Sequence, residues 1–234
     1  MRMLVRRLAW WIADYAYAAS RQARSLFGAG HPERYESGAL NPVVVLPGIW
    51  ETWAFMRPLV ERLHDAGYPV YVVSSLGRNR GAVGASAVIV AEFVESRDLR
   101  DVLIVAHSKG GMIGKYAMAL LDGSQRIRGM VAVCAPFSGS RYARFLVLPS
   151  LRALSPNDAT TVRLTELREV NPRIVSVYGE FDPHIPEGSA LEGADNVELP
   201  TGGHFRLLGR PETVAIVLDR AGGEGMPGES LIGD

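Results

Sequence analysis

The chain has 234 residues, 47% of them hydrophobic and 21% charged, which suits one soluble globular domain with a sizeable core. Twenty-five Lys and Arg balance 25 Asp and Glu, so no global field draws in nucleic acid. Its single cysteine, Cys134 in an apolar run, excludes an internal disulfide and leaves a cysteine-based metal cluster without enough ligands.

Residues 1–30 read as an amphipathic helix. Leu4, Leu8, Trp11, Ile12 and Tyr15 recur at spacings of three and four and share one face, with Arg6, Arg7, Arg21 and Arg24 toward the ends. Such a helix suits a membrane interface, with Trp and Tyr at headgroup depth, and equally suits the domain's own surface. A cleaved secretory signal is the third reading, since residues 16–20 mimic a small-residue cleavage site while Asp14 interrupts the apolar run. That run is too short to span a bilayer. The chain is therefore expected in the cytoplasm, with peripheral membrane contact through this helix as one reading and secretion left open.

After a polar linker at 31–41, strands alternate with helices. Apolar, β-branched runs at 42–46, 70–73, 102–106, 127–134 and 173–178, with a short one at 196–199, predict six strands. Helical periodicity covers 55–66, 85–94, 109–121 and 212–220. Strands that are apolar throughout are buried on both faces, so the fold class is α/β, with a mostly parallel sheet flanked by helices. Ligands in such sheets bind beyond the carboxyl ends of the strands. The stretch 135–171 is a long excursion carrying Phe137, Tyr142 and Leu151, and reads as a small lid. The tail at 221–234, rich in Gly and acidic residues, is expected to be disordered.

The chemistry centres on Ala106-His107-Ser108-Lys109-Gly110, at the junction of a strand and a helix. Small-x-Ser-x-small in that position is a nucleophile elbow, a turn so tight that larger flanking residues collide with neighbouring backbone. The turn lifts the serine hydroxyl above the sheet and aims the first helical amides at the same point. Ser108 alone among the serines has Gly or Ala at both flanking positions. With these residues the chain resembles the α/β-hydrolase family and its bacterial lipase and esterase branch, from about Asn41 to Arg220. Ala106 stands where many relatives carry the first elbow glycine.

The resemblance implies the order nucleophile, acid, histidine. It places the general base at His204, in a Gly-bearing loop before the last helix, and the acid at Asp182, two residues before His184. Glu180 is the rival acid; Asp158 and Asp195 are expected to be solvated, and His184 to line the entrance or cap a turn. The backbone amides of Ile49 and Lys109 are implied as the oxyanion hole, with Pro47 replacing the histidine that many relatives carry before Gly48. The Lys109 ammonium is expected at the rim or along the helix, without a role. Trp50, Trp53 and Phe137 are the candidate substrate-pocket residues. Together these features imply an esterase or lipase for hydrophobic acyl groups, acting through an acyl-enzyme on Ser108. A thioesterase or acyltransferase using the same three residues, or a non-catalytic receptor or scaffold, remains the alternative. No metal cluster is present in the sequence, and residues 77–84 lack the spacing of a Gly-rich nucleotide loop, so no cofactor is implied. The expected partner is a small-molecule or lipid ester.

Overall fold

The computed structural model describes residues 2–26, 30–145, 149–152 and 154–223. Six strands form one sheet: β1 (Val43–Leu46), β2 (Val70–Val72), β3 (Val102–His107), β4 (Ile127–Val133), β5 (Ile174–Phe181) and β6 (Asp195–Gly202). All neighbours run parallel, in the order β2-β1-β3-β4-β5-β6. Every residue of β1 and β3 is buried, as their unbroken apolar runs require. The chain leaves β1 toward one edge and returns to β3 to build toward the other. A crevice therefore opens beyond the carboxyl ends of β1 and β3, where Gly48 and Ser108 stand.

The helices are α1 (Arg2–Leu26), α2 (Arg57–Asp65), α3 (Val83–Ser96), α4 (Lys109–Tyr116), α5 (Pro149–Arg152), α6 (Ala159–Glu166) and α7 (Pro211–Ala221). On one sheet face Val90, Ile113, Ala117 and Leu164 pack against Val44, Ile104 and Ala132. On the other, Leu59, Leu63 and Val217 pack against Val45, Leu103 and Val175. The two clusters are the cores of a three-layer α/β fold. α4 closes with a π-helical turn, Ala117–Leu121.

Several segments depart from the sequence reading or settle what it left open, and β5, like β6, runs past its predicted end to Phe181. β6 runs to Gly202, beyond the predicted 196–199, because an edge strand alternates buried with exposed residues and its apolar run ends early. Within the linker a 3-10 turn, Pro32–Tyr35, buries Tyr35. α1 turns its apolar stripe outward: Leu4, Leu8, Trp11, Ile12 and Tyr15 are exposed, while Asp14 is buried and Trp10, Tyr17 and Arg21 are partly covered. The excursion holds a 3-10 turn at Arg141–Phe145 with α5 and α6, where Asp158 caps α6 by accepting from Thr160 and Thr161. Leu146, Val147 and Leu148 of the expected lid, and 224–234 of the expected tail, lie outside the described residues. Among the described residues no helix is long and apolar enough to cross a membrane.

Candidate active site

Ser108 stands between β3 and α4 at φ 50° and ψ −121°. A side chain in this region carries strain on the order of 1–3 kcal/mol, held in place by the surrounding packing. Much of that constraint comes from Gly110, where an added Cβ would stand 2.3 Å from the Leu46 carbonyl oxygen. Only glycine lets the first turn of α4 approach the end of β1 this closely.

Three predicted residues meet here. The Ser108 hydroxyl is 2.9 Å from Nε2 of His204, and His204 Nδ1 is 2.7 Å from Oδ2 of Asp182. The two side chains of the His–Asp pair are 6% and 4% exposed. Asp182 follows β5, and its other oxygen accepts the amides of His184 and Ile185 at 2.7 and 3.1 Å, which fixes the carboxylate's direction. Burial works against charge on both partners, but their mutual attraction and hydrogen bond outweigh it. His204 is consequently raised above the ordinary histidine value, and Asp182 is held below the usual carboxylate range. The rival, Glu180, points away and pairs with Arg6 at 2.7 Å. His184 packs its ring 4.9 Å from that of His204, and burial, then the neighbouring His204, lowers its pKa to about 4.

Gly48 donates to Glu51 Oε2 at 2.8 Å, and Trp50 donates to the Arg78 carbonyl at 2.8 Å. The amides of Ile49 and Lys109 donate no hydrogen bond among the described residues. Pro47, the departure from relatives with histidine, is held by Asn79 Nδ2 on its carbonyl at 2.6 Å.

Some residues are not where the sequence reading put them. Ser108 and His204 open onto a cavity of about 400 Å³ lined by Ile49, Pro136, Ala143, Leu154, Ile185 and Phe205, among others. Trp50, Trp53 and Phe137 are not part of its wall. Trp50 sits at positive φ and points outward over a shallow surface depression. Trp53 is buried against Tyr35 and Arg57 in the core. Phe137 packs under the sheet's other face. Post-strand position identifies a loop, but not which of its side chains turn inward. The Lys109 side chain is not at the rim either. It is buried, its ammonium donates to the Asn79 carbonyl at 2.9 Å and to that of Gly81, and burial lowers its pKa to about 8.

Sequence reasoning missed three residues that hold the site together. Glu51 and His107 form a buried pair at 2.9 Å, and His107 Nε2 donates to the His204 carbonyl at 3.0 Å. This pair ties the loop after β1 to the loop that carries His204. Asp14 of α1 is fully buried, and its Oδ1 accepts the amides of Phe205 and Arg206, each at 2.8 Å. Gly203 makes room for it, since a Cβ there would lie 2.6 Å from that oxygen. A lone acid inside an apolar helical run was the available signal for Asp14. His107 carried none beyond its place beside Ser108. Cys134, Asp182 and His204 bring ligand atoms within 4.8 Å of one another. Burial pushes the Cys134 thiol well up, however, and a metal takes the thiolate, so the group fits a cation poorly.

The alpha/beta hydrolase family model matches residues 43–183, more than half of the chain and inclusive of the elbow and the Asp182 loop. The chain belongs to the alpha/beta hydrolase family. Solved structures of this hydrolase fold agree. The mature form of Bacillus licheniformis lipase BlEst2 superposes with a TM-score of 0.63 at 14% identity, over 82% of this chain and 94% of that one. Aspergillus fumigatus lipase B gives a TM-score of 0.68 at 16% identity, over 82% of this hydrolase and 55% of the lipase. A structure described with LipS and LipT, two metagenome-derived lipolytic enzymes, gives 0.62 at 16% identity, over 80% and 96%. Comparison with curated proteins gives no match. At these identities the likeness establishes the fold alone.

Proposed function

We propose that this hydrolase cleaves carboxylic esters of hydrophobic acyl groups through an acyl-enzyme on Ser108. The observation that carries the reading is the hydrogen-bonded series Ser108–His204–Asp182 at the floor of an apolar cavity. His204 takes the Ser108 proton as Oγ attacks the ester carbonyl, and Asp182 accepts the Nδ1–H of the imidazolium that forms. Negative charge develops on the carbonyl oxygen, where the free amides of Ile49 and Lys109 supply the donors. Collapse expels the alcohol, which takes the proton from His204. Water, deprotonated by the same imidazole, then attacks the acyl carbon and returns Ser108 with the carboxylic acid. Glu51 sits in the cavity wall, yet its pairing with His107 limits its repulsion of the oxyanion. The lipases among the structural neighbours support the same substrate class.

The test is hydrolysis of p-nitrophenyl esters from acetate to palmitate by the protein and by Ser108→Ala, with fluorophosphonate labelling read by mass. Turnover is expected to fall about 10⁴-fold or more in the variant. A cavity near the small end of the ~300–1,000 Å³ range of ligand sites sets an optimum at short to medium chains. Undiminished turnover in Ser108→Ala would overturn the reading. Labelling of Ser108 without turnover of any ester would move it to a narrow thioesterase or acyltransferase.

A further inference from the structure

The inner face of α1 is fully used. Asp14 grips the His204 loop, Trp10 lies against Gly202, Tyr17 meets Phe55, and Arg6 pairs with Glu180. Its outer face is largely uncovered, save that Tyr15 meets His184 and Phe205. Of the thirteen large hydrophobic side chains exposed among the described residues, seven lie on this helix, including Leu4 at 74%, Ile12 at 58% and Trp11 at 45%. A contiguous apolar surface of this kind marks an interaction site. Of the helix's arginines, Arg7 and Arg24 are exposed without an ion pair among the described residues, and its single acid, Asp14, is buried, in a chain of zero net charge. Its outward character is therefore apolar and cationic.

We infer that α1 lays this face on an anionic lipid bilayer. Arginines beside an apolar stripe bearing Trp and Tyr match a headgroup layer with acyl chains beneath it, and the helix lies along that layer without crossing it. Two copies docked through this same patch would bring like arginines together, which disfavours a second chain as the occupant. The position of the face adds a second argument. Leu4, Leu8 and Trp11 line an open cavity of about 740 Å³ together with Phe181, Pro183 and Tyr142. Tyr142 also lines the Ser108 cavity. Pro183 and Ile185 are likewise shared by the two walls, so a membrane seated on α1 lies beside the Ser108 cavity. The inference goes beyond the hydrolytic reading and stands on binding alone.

Val5 and Ile12 are exposed on the helix and line neither cavity, so Val5→Glu with Ile12→Glu probes the face without entering the site. The experiment is co-sedimentation of the full chain with vesicles of phosphatidylcholine, with or without phosphatidylglycerol, followed by Trp fluorescence. Pelleting is expected with the anionic vesicles and to weaken with salt. Arg7→Gln should lower partitioning about fivefold, and the double glutamate variant about a hundredfold or more. The variant's melting temperature and its turnover of a water-soluble ester, where the parent shows turnover, should match those of the parent. Equal binding to neutral vesicles, no binding to anionic ones, or binding indifferent to the double variant would overturn the inference. So would concentration-dependent dimers that the double variant dissolves while neither protein pellets.

Discussion

Asp14 offers the sharpest test of how this site is held. Its Oδ1 accepts two buried amides at 2.8 Å, immediately after His204 in the chain. Each hydrogen bond to an ionised group contributes about 1.5–3 kcal/mol, and truncation would also leave both amides unpaired. Asp14→Ala is therefore expected to cost about 3–5 kcal/mol, which in a domain of this size lowers the melting temperature by about 10 °C or more. Freed of this clamp, the His204 loop shifts, and a displacement near 1 Å costs about 100-fold in kcat. Asp14→Asn separates the two effects. The amide keeps an acceptor, so geometry and most of the stability survive, while the charge is lost. Asp14 is among the charges that raise the His204 pKa, so the acid limb of kcat/KM should move to lower pH in Asn. The assay is ester hydrolysis from pH 5 to 9 beside thermal melts of the parent and both variants. Unchanged kcat and melting in Asp14→Ala would refute the clamp. An unmoved limb in Asp14→Asn would refute the electrostatic part.

Two further predictions concern protons. His204 must be neutral to accept from Ser108, and its pKa is raised, so activity should climb with pH through a midpoint above the ordinary value of 6.5; a limb centred at or below 6 contradicts the Asp182 pairing. His184 acts oppositely on stability. Its folded pKa of about 4 lies below the 6.5 of the unfolded chain, so unfolding takes up a proton first and stability falls as pH drops through 6.5 toward 4. Between pH 7 and 5 that one group costs about 2 kcal/mol. Urea midpoints for His184→Gln should show a flatter pH dependence by that amount, and a slope equal to the parent's would remove His184 as the cause.

The sheet was legible because burial on both faces demands apolar runs, and β1, residues 102–106 of β3 and residues 130–133 of β4 have them. The elbow was legible for a steric reason, the 2.3 Å clearance at Gly110. What could not be read is direction. The helical wheel of α1 identifies an apolar face correctly, yet the domain takes the opposite face, because a buried acid with two amides to satisfy outweighs apolar surface that a partner can cover. Trp50, Trp53 and Phe137 fail as pocket residues for a related reason. Strand-end position brings a loop to the crevice, while the loop's own dihedrals, such as the positive φ at Trp50, decide which side chains enter.

The hidden residues share one task. Ser108 is fixed by its elbow and Asp182 by two amides of its own turn, but His204 must reach over from the far side of β6. Its backbone is gripped from both directions, its carbonyl by His107 and the next two amides by Asp14. One grip begins at Glu51 in the loop after β1, the other in α1, so the imidazole is located by segments from 14 to 107 that precede or contain the elbow. Both grips use buried polar groups, which impose a direction that apolar packing does not. The consequence is that α1 belongs to the site as much as to the surface. Loss of the helix should leave the strand pairing intact, uncover the core where Tyr17 and Ala18 pack, and loosen the histidine.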